Sequence, residues 1–381
     1  MTRNLAVETL CARSFRNLSC VDLELGPGFN VFSGDNGQGK TNVLEALYLL
    51  ATSKSFRTAK LSDLVQSGAL DAAEASAERS ARTATVRALV REDGVLRSQS
   101  VGVRGAGRSV RIDGQRVTPL AAYAVRTPTV IFHPGAVALS SGSGAERRKL
   151  LDRLALYLAP ASLGDAAAYG RAARARHRVL VARGECAPDL DGWEHLMCQH
   201  GSLLSHAREQ AVARLAPAAE RAFARIGSAN LALRARYVQS APASQEAFRE
   251  ALARARPKDR ARGWAGVGPH RDELALELGG RAVRGTASQG QHRAIVLALE
   301  LAEIDVVGDA RGVRPLLLLD DVSSELDRTR TAALFRALNE DRGQVFVTTT
   351  RPDVLGADLR PSPIDRRDFV VVDGQVATVD S

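Results

Sequence analysis

The chain has 381 residues, of which 45% are hydrophobic and 25% charged, with a net charge of +9. That supplies a core of ordinary size and two or three domains, and it excludes wholesale disorder, which goes with low hydrophobicity and high net charge. No apolar run approaches the roughly 18 residues of a membrane span. The purest one, Leu316-Leu317-Leu318-Leu319, stops at a pair of aspartates. Met1-Thr2-Arg3-Asn4 is not followed by the apolar stretch of a secretory signal, so a cytoplasmic protein is expected. The four cysteines (Cys11, Cys20, Cys186, Cys198) match neither a zinc ribbon nor a redox pair and are expected as reduced thiols.

Up to about residue 145, short apolar or alternating runs at 21–25, 29–32, 83–90 and 130–132 predict strands. Residues 102–107 predict a turn and 110–114 a hairpin. From about 147 to 262, Ala, Leu and Arg dominate and predict several helices. Their breaks are expected near Pro160, Gly184 to Pro188, Pro217, Pro242 and Pro257. Beyond about 265, strands are predicted at 273–278, 316–319 and 344–348, with a helix over 291–306. Strands alternating with helices imply an α/β fold with a mainly parallel sheet covered by helices.

The charge is concentrated. Residues 147–262 contain 19 Arg and 2 Lys against 11 Asp and Glu, a net +10, which leaves the rest of the chain at −1. A coding bias towards Arg accounts for Arg over Lys but not for where the charge sits. A basic helical segment is the footprint expected of a nucleic-acid or polyanion binder, with a solvated helical face as the alternative. Arg171, Arg174, Arg176 and Arg178, from one Arg-rich run in it, are the candidate DNA contacts. Aromatic residues are only 4% of the chain, so phosphate contacts are expected to outweigh base stacking.

Gly34-Asp35-Asn36-Gly37-Gln38-Gly39-Lys40-Thr41 fits the phosphate-loop pattern G-x-x-x-x-G-K-[ST], between a predicted strand at 29–32 and an apolar helical run at 43–50, and with Asn42 these are the expected ATP-binding residues. The glycines let backbone amides cradle phosphate oxygens. Lys40 supplies a charge between the last two phosphates, and the Thr41 hydroxyl is a magnesium ligand. ATP and Mg²⁺ are the expected cofactors. The run 316–319 delivers Asp320 and Asp321 to a strand end, where ligands of such sheets bind. Asp320 is the expected second magnesium ligand, directly or through water, and Asp321 the group that polarises the attacking water. Ser288-Gln289-Gly290-Gln291 opens a helix about thirty residues before Asp320. It is either a second anion site, docking on a nucleotide held by another subunit, or an ordinary polar helix start.

Taken together these stretches resemble the ABC-type ATPases, with Ser288 to Gln291 similar to their signature loop and Ser323-Ser324-Glu325-Leu326-Asp327 to the dimer loop. Within that class the chain resembles the RecF family of DNA repair proteins. The resemblance rests on Ser14 to Asn17, Gly34 to Ala46, Ser55 to Thr58, Gly268 to Asp272 and Leu319 to Asp327. It implies an ABC-type P-loop head with a helical arm inserted: lobes at 1–146 and 263–381 and a basic arm at 147–262. It also implies a protein that binds ATP, forms an ATP-sandwiched homodimer, and binds gapped or junction DNA in that state. ATP hydrolysis is then slow and releases the dimer. The implied setting is recombinational repair and fork maintenance, with RecR as partner and RecA loading as outcome. Ser288 and Gly290 would touch the γ-phosphate in the opposite subunit, Ser324 and Asp327 would lie at the dimer interface, and Arg57, with Arg16, would approach the phosphates.

Three positions depart from the family pattern. Phe132-His133-Pro134-Gly135-Ala136 lacks the acids usual in that loop, Thr349 stands where a switch histidine would fall, and Asp321 replaces a glutamate, consistent with slow turnover. The alternatives are another ABC-type ATPase, associated with a nuclease or a transporter, and a binding module gated by ATP without hydrolysis.

Overall fold

The computed structural model describes residues 3–66, 82–226, 231–321, 343–352 and 366–379. The chain packs as two compact units, one of residues 1–136 with 307–381, the other of 137–306. In chain order the strands are β1 (Leu5–Phe15), β2 (Leu18–Glu24), β3 (Phe29–Ser33), β4 (Thr83–Glu92), β5 (Val95–Arg104), β6 (Gly107–Ile112), β7 (Gln115–Arg116) and β8 (Thr129–Phe132). They continue with β9 (Leu233–Val238), β10 (Glu273–Leu278), β11 (Arg281–Ala282), β12 (Leu316–Asp320), β13 (Val345–Thr349), β14 (Arg366–Val372) and β15 (Gln375–Val379).

The first unit holds two six-stranded sheets. One runs β15-β14-β3-β13-β12-β8 and is parallel except for β15. The central strands β12 and β13 are covered on both faces, which is why they are buried throughout instead of alternating, and the edge strand β8 is buried along its four residues too. The other, β2-β1-β4-β5-β6-β7, is wholly antiparallel. Strand β4 alternates accordingly, one face to the core and one to solvent. The sequence identified several of these strands but not that they form a separate layer, because strand pairing is non-local. The 110–114 hairpin forms at Asp113-Gly114, both with positive φ.

The helix α1 (Lys40–Thr52) is buried along most of its length and packs against strands of both sheets. One core joins Phe15, Leu18, Val86 and Val90 to Leu44, Leu47, Leu318, Phe346 and Phe369. Gln344 also ties the layers together. Buried, it exchanges hydrogen bonds with the Val7 backbone at 2.7 and 2.8 Å and donates to the Gly26 carbonyl at 2.7 Å.

The second unit is mainly helical: Gly144–Leu158, Ser162–Arg183, Asp189–Ile226, Gln245–Arg262 and most of Gln289–Arg311, with the small sheet β11-β10-β9. Two expected breaks are absent. Pro217 and Pro257 sit inside helices, since tertiary packing, around Leu215, Ala218 and Ala219 at the first and around Leu252 and Asp259 at the second, outweighs one lost hydrogen bond at the proline. The unit's boundaries differ from the expected 147 and 262. Arg147 pairs with Glu273 at 2.6 and 3.0 Å, and Arg208 and Tyr237 donate to buried Asp272, binding the segment after 262 to the helices. No described helix is long and apolar enough to cross a membrane.

Candidate nucleotide-binding site

Strand β3 leads into the loop 34–39, and α1 leaves it at Lys40. Two glycines are required here. Gly34 has φ +147° and a Cβ there would lie 2.3 Å from the Val371 carbonyl; at Gly39, with φ +112°, it would lie 2.7 Å from the Asn17 amide. The Asn42 and Val43 amides donate to the Gly39 carbonyl, while those of Lys40 and Thr41, the first of α1, have no acceptor within the helix, the arrangement that suits an anion. The loop is held from outside. Asn17 donates to the Gln38 carbonyl at 3.1 Å and accepts from Asn42 at 2.7 Å, while the Asp373 amide donates to Gln38 Oε1 at 2.5 Å. Gln38 therefore serves the loop's shape through its side chain as well as its backbone.

Lys40 is nearly buried, and its ammonium donates to the Gly34 and Asp35 carbonyls, each at 2.7 Å. Burial pushes its pKa down, opposed by the charges of Asp321, Asp35 and Asp320. Opposite it, Asp320 Oδ1 accepts from Thr41 Oγ1 and Thr348 Oγ1, both at 2.8 Å. Burial raises the Asp320 pKa, and these two hydrogen bonds and the Arg57 charge restrain the rise. The Thr348 hydroxyl also accepts from the Asp321 amide at 3.0 Å, and Asp321 has φ +50°. Parallel pairing of β12 with β13 sets Asp320 opposite Thr348. Thr349, the residue expected at the switch position, is buried, and its hydroxyl accepts from the Arg351 amide at 3.0 Å.

The Thr41 hydroxyl at the start of α1 and the Asp320 carboxylate at the end of β12 are hard donors of the kind Mg²⁺ takes. Among the described residues no group of three or more His, Cys, Asp or Glu could cage a metal.

Beside the loop lies a carboxylate the sequence did not single out. Glu45 is fully buried and takes a two-pronged contact from Arg16, at 2.9 Å for each bond, plus the Ser55 hydroxyl at 2.5 Å. Arg57 reaches Glu45 at 3.4 Å and Asn42 Oδ1 at 2.8 Å, with about half of its side chain exposed. A helix-borne acid in an apolar run reads as a solvent-facing charge; only the fold brings two arginines to it.

In the second unit, Ser288 and Gln291 form a reciprocal cap, Gln291 N to Ser288 Oγ at 3.2 Å and Ser288 N to Gln291 Oε1 at 2.8 Å. Ser288 and Gln289 are exposed, Gly290 and Gln291 half-buried. His292, next in the helix, meets the buried Ser140 hydroxyl at 2.7 Å. Ser324 and Asp327 lie outside the described residues. Of the candidate DNA contacts, Arg171, Arg174 and Arg178 are exposed. Arg176 is not. It is 1% exposed and donates to Glu194 at 2.8 Å, Asp259 at 2.7 Å and the Leu252 carbonyl at 2.8 Å, so it holds three helices together and cannot meet a phosphate.

The family model for the RecF/RecN/SMC N terminal domain matches residues 6–360. The DNA replication and repair protein RecF of Anaeromyxobacter sp. strain Fw109-5 is 40% identical over 353 residues, covering 90% of this chain and 91% of the relative. The chain belongs to the RecF family. The RecF of Geobacter sulfurreducens is 36% identical, covering 90% of this chain and 92% of its own. A solved structure of the recombination mediator protein RecF-ATPrS in the RecFOR pathway superposes with a TM-score of 0.86 at 26% identity, over 100% of this chain and 99% of that one. The Smc head bound to a winged-helix domain of ScpA, at 16% identity and a TM-score of 0.55, shares the fold. The RecF-family chain thus has the ABC-type ATPase architecture expected of it.

Proposed function

We propose that this RecF-family chain is an ATP-dependent DNA-binding protein of recombinational repair and replication-fork maintenance. The observation that carries the reading is the cluster of Thr41, Asp320 and Thr348 at the mouth of the phosphate loop, beside the buried Lys40 ammonium. Solved RecF relatives named as RecF-ATPrS and RecF-ATP support ATP as the nucleotide. The loop amides and Lys40 bind the phosphates, and Arg57 approaches them from the side. Thr41 and Asp320 hold Mg²⁺, which supplies charge neutralisation when bound. Asp321 orients the attacking water; a carboxylate shorter than glutamate suits slow turnover.

Hydrolysis then acts as a switch. Ser288 and Gly290 of one subunit engage the γ-phosphate held by the other, with Ser324 and Asp327 at the interface, so ATP joins two copies. The unit of residues 1–136 and 307–381 is the nucleotide-binding lobe, and the basic helices of the other unit, with Arg171, Arg174 and Arg178, face DNA phosphates. RecR is the partner and RecA loading the outcome, in the cytoplasm at the nucleoid. The test is anisotropy of a labelled gapped duplex with ATP, with ADP and without nucleotide, at two salt concentrations. Tight, salt-sensitive binding with ATP alone is expected. Equal binding in all three states would disprove nucleotide-gated assembly.

A further inference from the structure

Trp264 is one of only two tryptophans in the chain and remains 42% exposed. Its loop is not loose. Gly263 closes the helix Gln245–Arg262 through the Asp259 carbonyl at 3.0 Å, the Gly266 amide donates to Asp259 Oδ1 at 2.8 Å, and His270 Nε2 meets the Ala265 carbonyl at 2.7 Å. Ala265 and Val267 turn inward onto a small core. Trp264 turns outward from this fixed frame.

Two guanidiniums accompany the ring, that of Arg271 at 4.4 Å from its centroid and that of Arg262 at 5.7 Å, both on exposed residues. From 251 to 271 the sequence contains one acid, Asp259, which is buried and bonded to Arg176. The outward charge of the segment is therefore wholly positive. Tyr169 meets His270 Nδ1 at 2.6 Å, which ties the loop to the helix Ser162–Arg183 and its exposed Arg171, Arg174 and Arg178.

We propose that Trp264 with Arg262 and Arg271 is a contact for single-stranded nucleic acid, in which an unpaired base stacks on the indole–guanidinium platform and the arginines take flanking phosphates. The proposal rests on the DNA-binding reading above and adds which part of a gapped substrate is held here. Paired bases are already stacked inside a duplex and leave no face for an exposed ring. An unpaired base has one, and stacking of this kind is tolerant of sequence. Guanidinium groups lying against the ring extend the stacking surface and keep N–H donors free for phosphate oxygens.

The test uses the full chain with Trp193→Phe, which leaves Trp264 as the only tryptophan. An oligothymidylate of about a dozen nucleotides, a blunt duplex and polyglutamate are titrated while indole emission is followed, and anisotropy of a labelled gapped duplex is measured in parallel. Saturable quenching by oligothymidylate, reversed by salt and weak with blunt duplex, is expected. Trp264→Ala should then weaken single-strand binding about tenfold, with Trp264→Phe restoring most of it and blunt-duplex affinity unchanged. If gapped duplex binds but the emission does not move, or Trp264→Ala binds single strands normally, the platform is wrong and the broader reading stands. If no DNA form binds with ATP, both fall. An equal response to polyglutamate assigns the patch to acidic polypeptide and overturns the nucleic-acid assignment.

Discussion

The Thr41 hydroxyl donates to Asp320 Oδ1 at 2.8 Å, across 279 residues of sequence. The bond joins the start of α1 to the end of β12, so the residues proposed to hold magnesium are already adjacent. Thr348 makes the same contact from the other side. Both hydroxyls donate to the ionised carboxylate and oppose the effect of burial.

That balance fixes a pH dependence. Burial holds the Asp320 carboxyl above its ordinary range. It therefore protonates, and loses its value as a cation ligand, at a higher pH than a solvated aspartate would. Magnesium-dependent ATP binding should weaken on acidification before ordinary carboxylates titrate. Thr348→Val removes a donor to the charged form and should move the midpoint further up. Titration of a fluorescent ATP analogue at several pH values, with and without magnesium, reads the shift. A midpoint unmoved by Thr348→Val would remove Asp320 from the cation site.

Lys40→Ala should eliminate measurable ATP binding and leave the fold intact. The ammonium bonds two carbonyls of its own loop, and the apolar packing of α1 does not depend on it. Calorimetric titration with ATP, alongside circular dichroism, separates a lost ligand from a lost fold. Retained affinity would contradict the phosphate-loop assignment.

The phosphate loop and the strand carrying Asp320 were legible because each is a local pattern: a fixed glycine spacing, or an apolar run ended by acids. Thr348 and Glu45 were not, since their partners come from β12 and from the segments around Arg16 and Ser55, and only pairing and packing bring these together. The misreading of Arg176 has the same cause. In a helix densely studded with Arg, spacing does not say which guanidinium turns inward to Glu194 and Asp259, nor does it warn that Pro217 and Pro257 sit within helices.

Arg176 and its neighbours make a paired prediction. Arg176→Ala leaves buried Asp259 without its arginine and Glu194 with Arg256 alone, a change that costs about 3–5 kcal/mol. Arg171→Ala, Arg174→Ala or Arg178→Ala should each cost less than about 0.5 kcal/mol, as exposed substitutions do. On DNA the order reverses. Each exposed variant should lower the salt slope of binding by about one, whereas Arg176→Ala should act through unfolding alone. Urea denaturation and anisotropy at graded salt read the two effects.

Ser288→Arg probes assembly. Ser288 is exposed and caps its own helix, so its replacement forfeits about 1 kcal/mol of capping and introduces a bulky cation where a second subunit's nucleotide would dock. ATP affinity of the monomer should persist while the ATP-dependent dimer disappears from light scattering. A dimer in that variant would rule out the sandwich arrangement.

Glu45 is the strongest test of how the arginines beside the loop are aimed. Its carboxylate is fully buried and shared among Arg16, Arg57 and Ser55, and Arg57 is also held by Asn42. Glu45→Ala deprives Arg16 of its partner and should destabilise the first unit by about 3 kcal/mol. Glu45→Gln keeps the shape and one acceptor oxygen but turns an amide donor towards cationic donors, so it should cost less in stability and still release Arg57 from its station. ATP affinity should therefore fall in Glu45→Gln by more than its modest destabilisation explains, and Arg57→Ala should add little to that loss in the double variant. Full additivity of the two substitutions in ATP titrations would show that Glu45 does not act through Arg57.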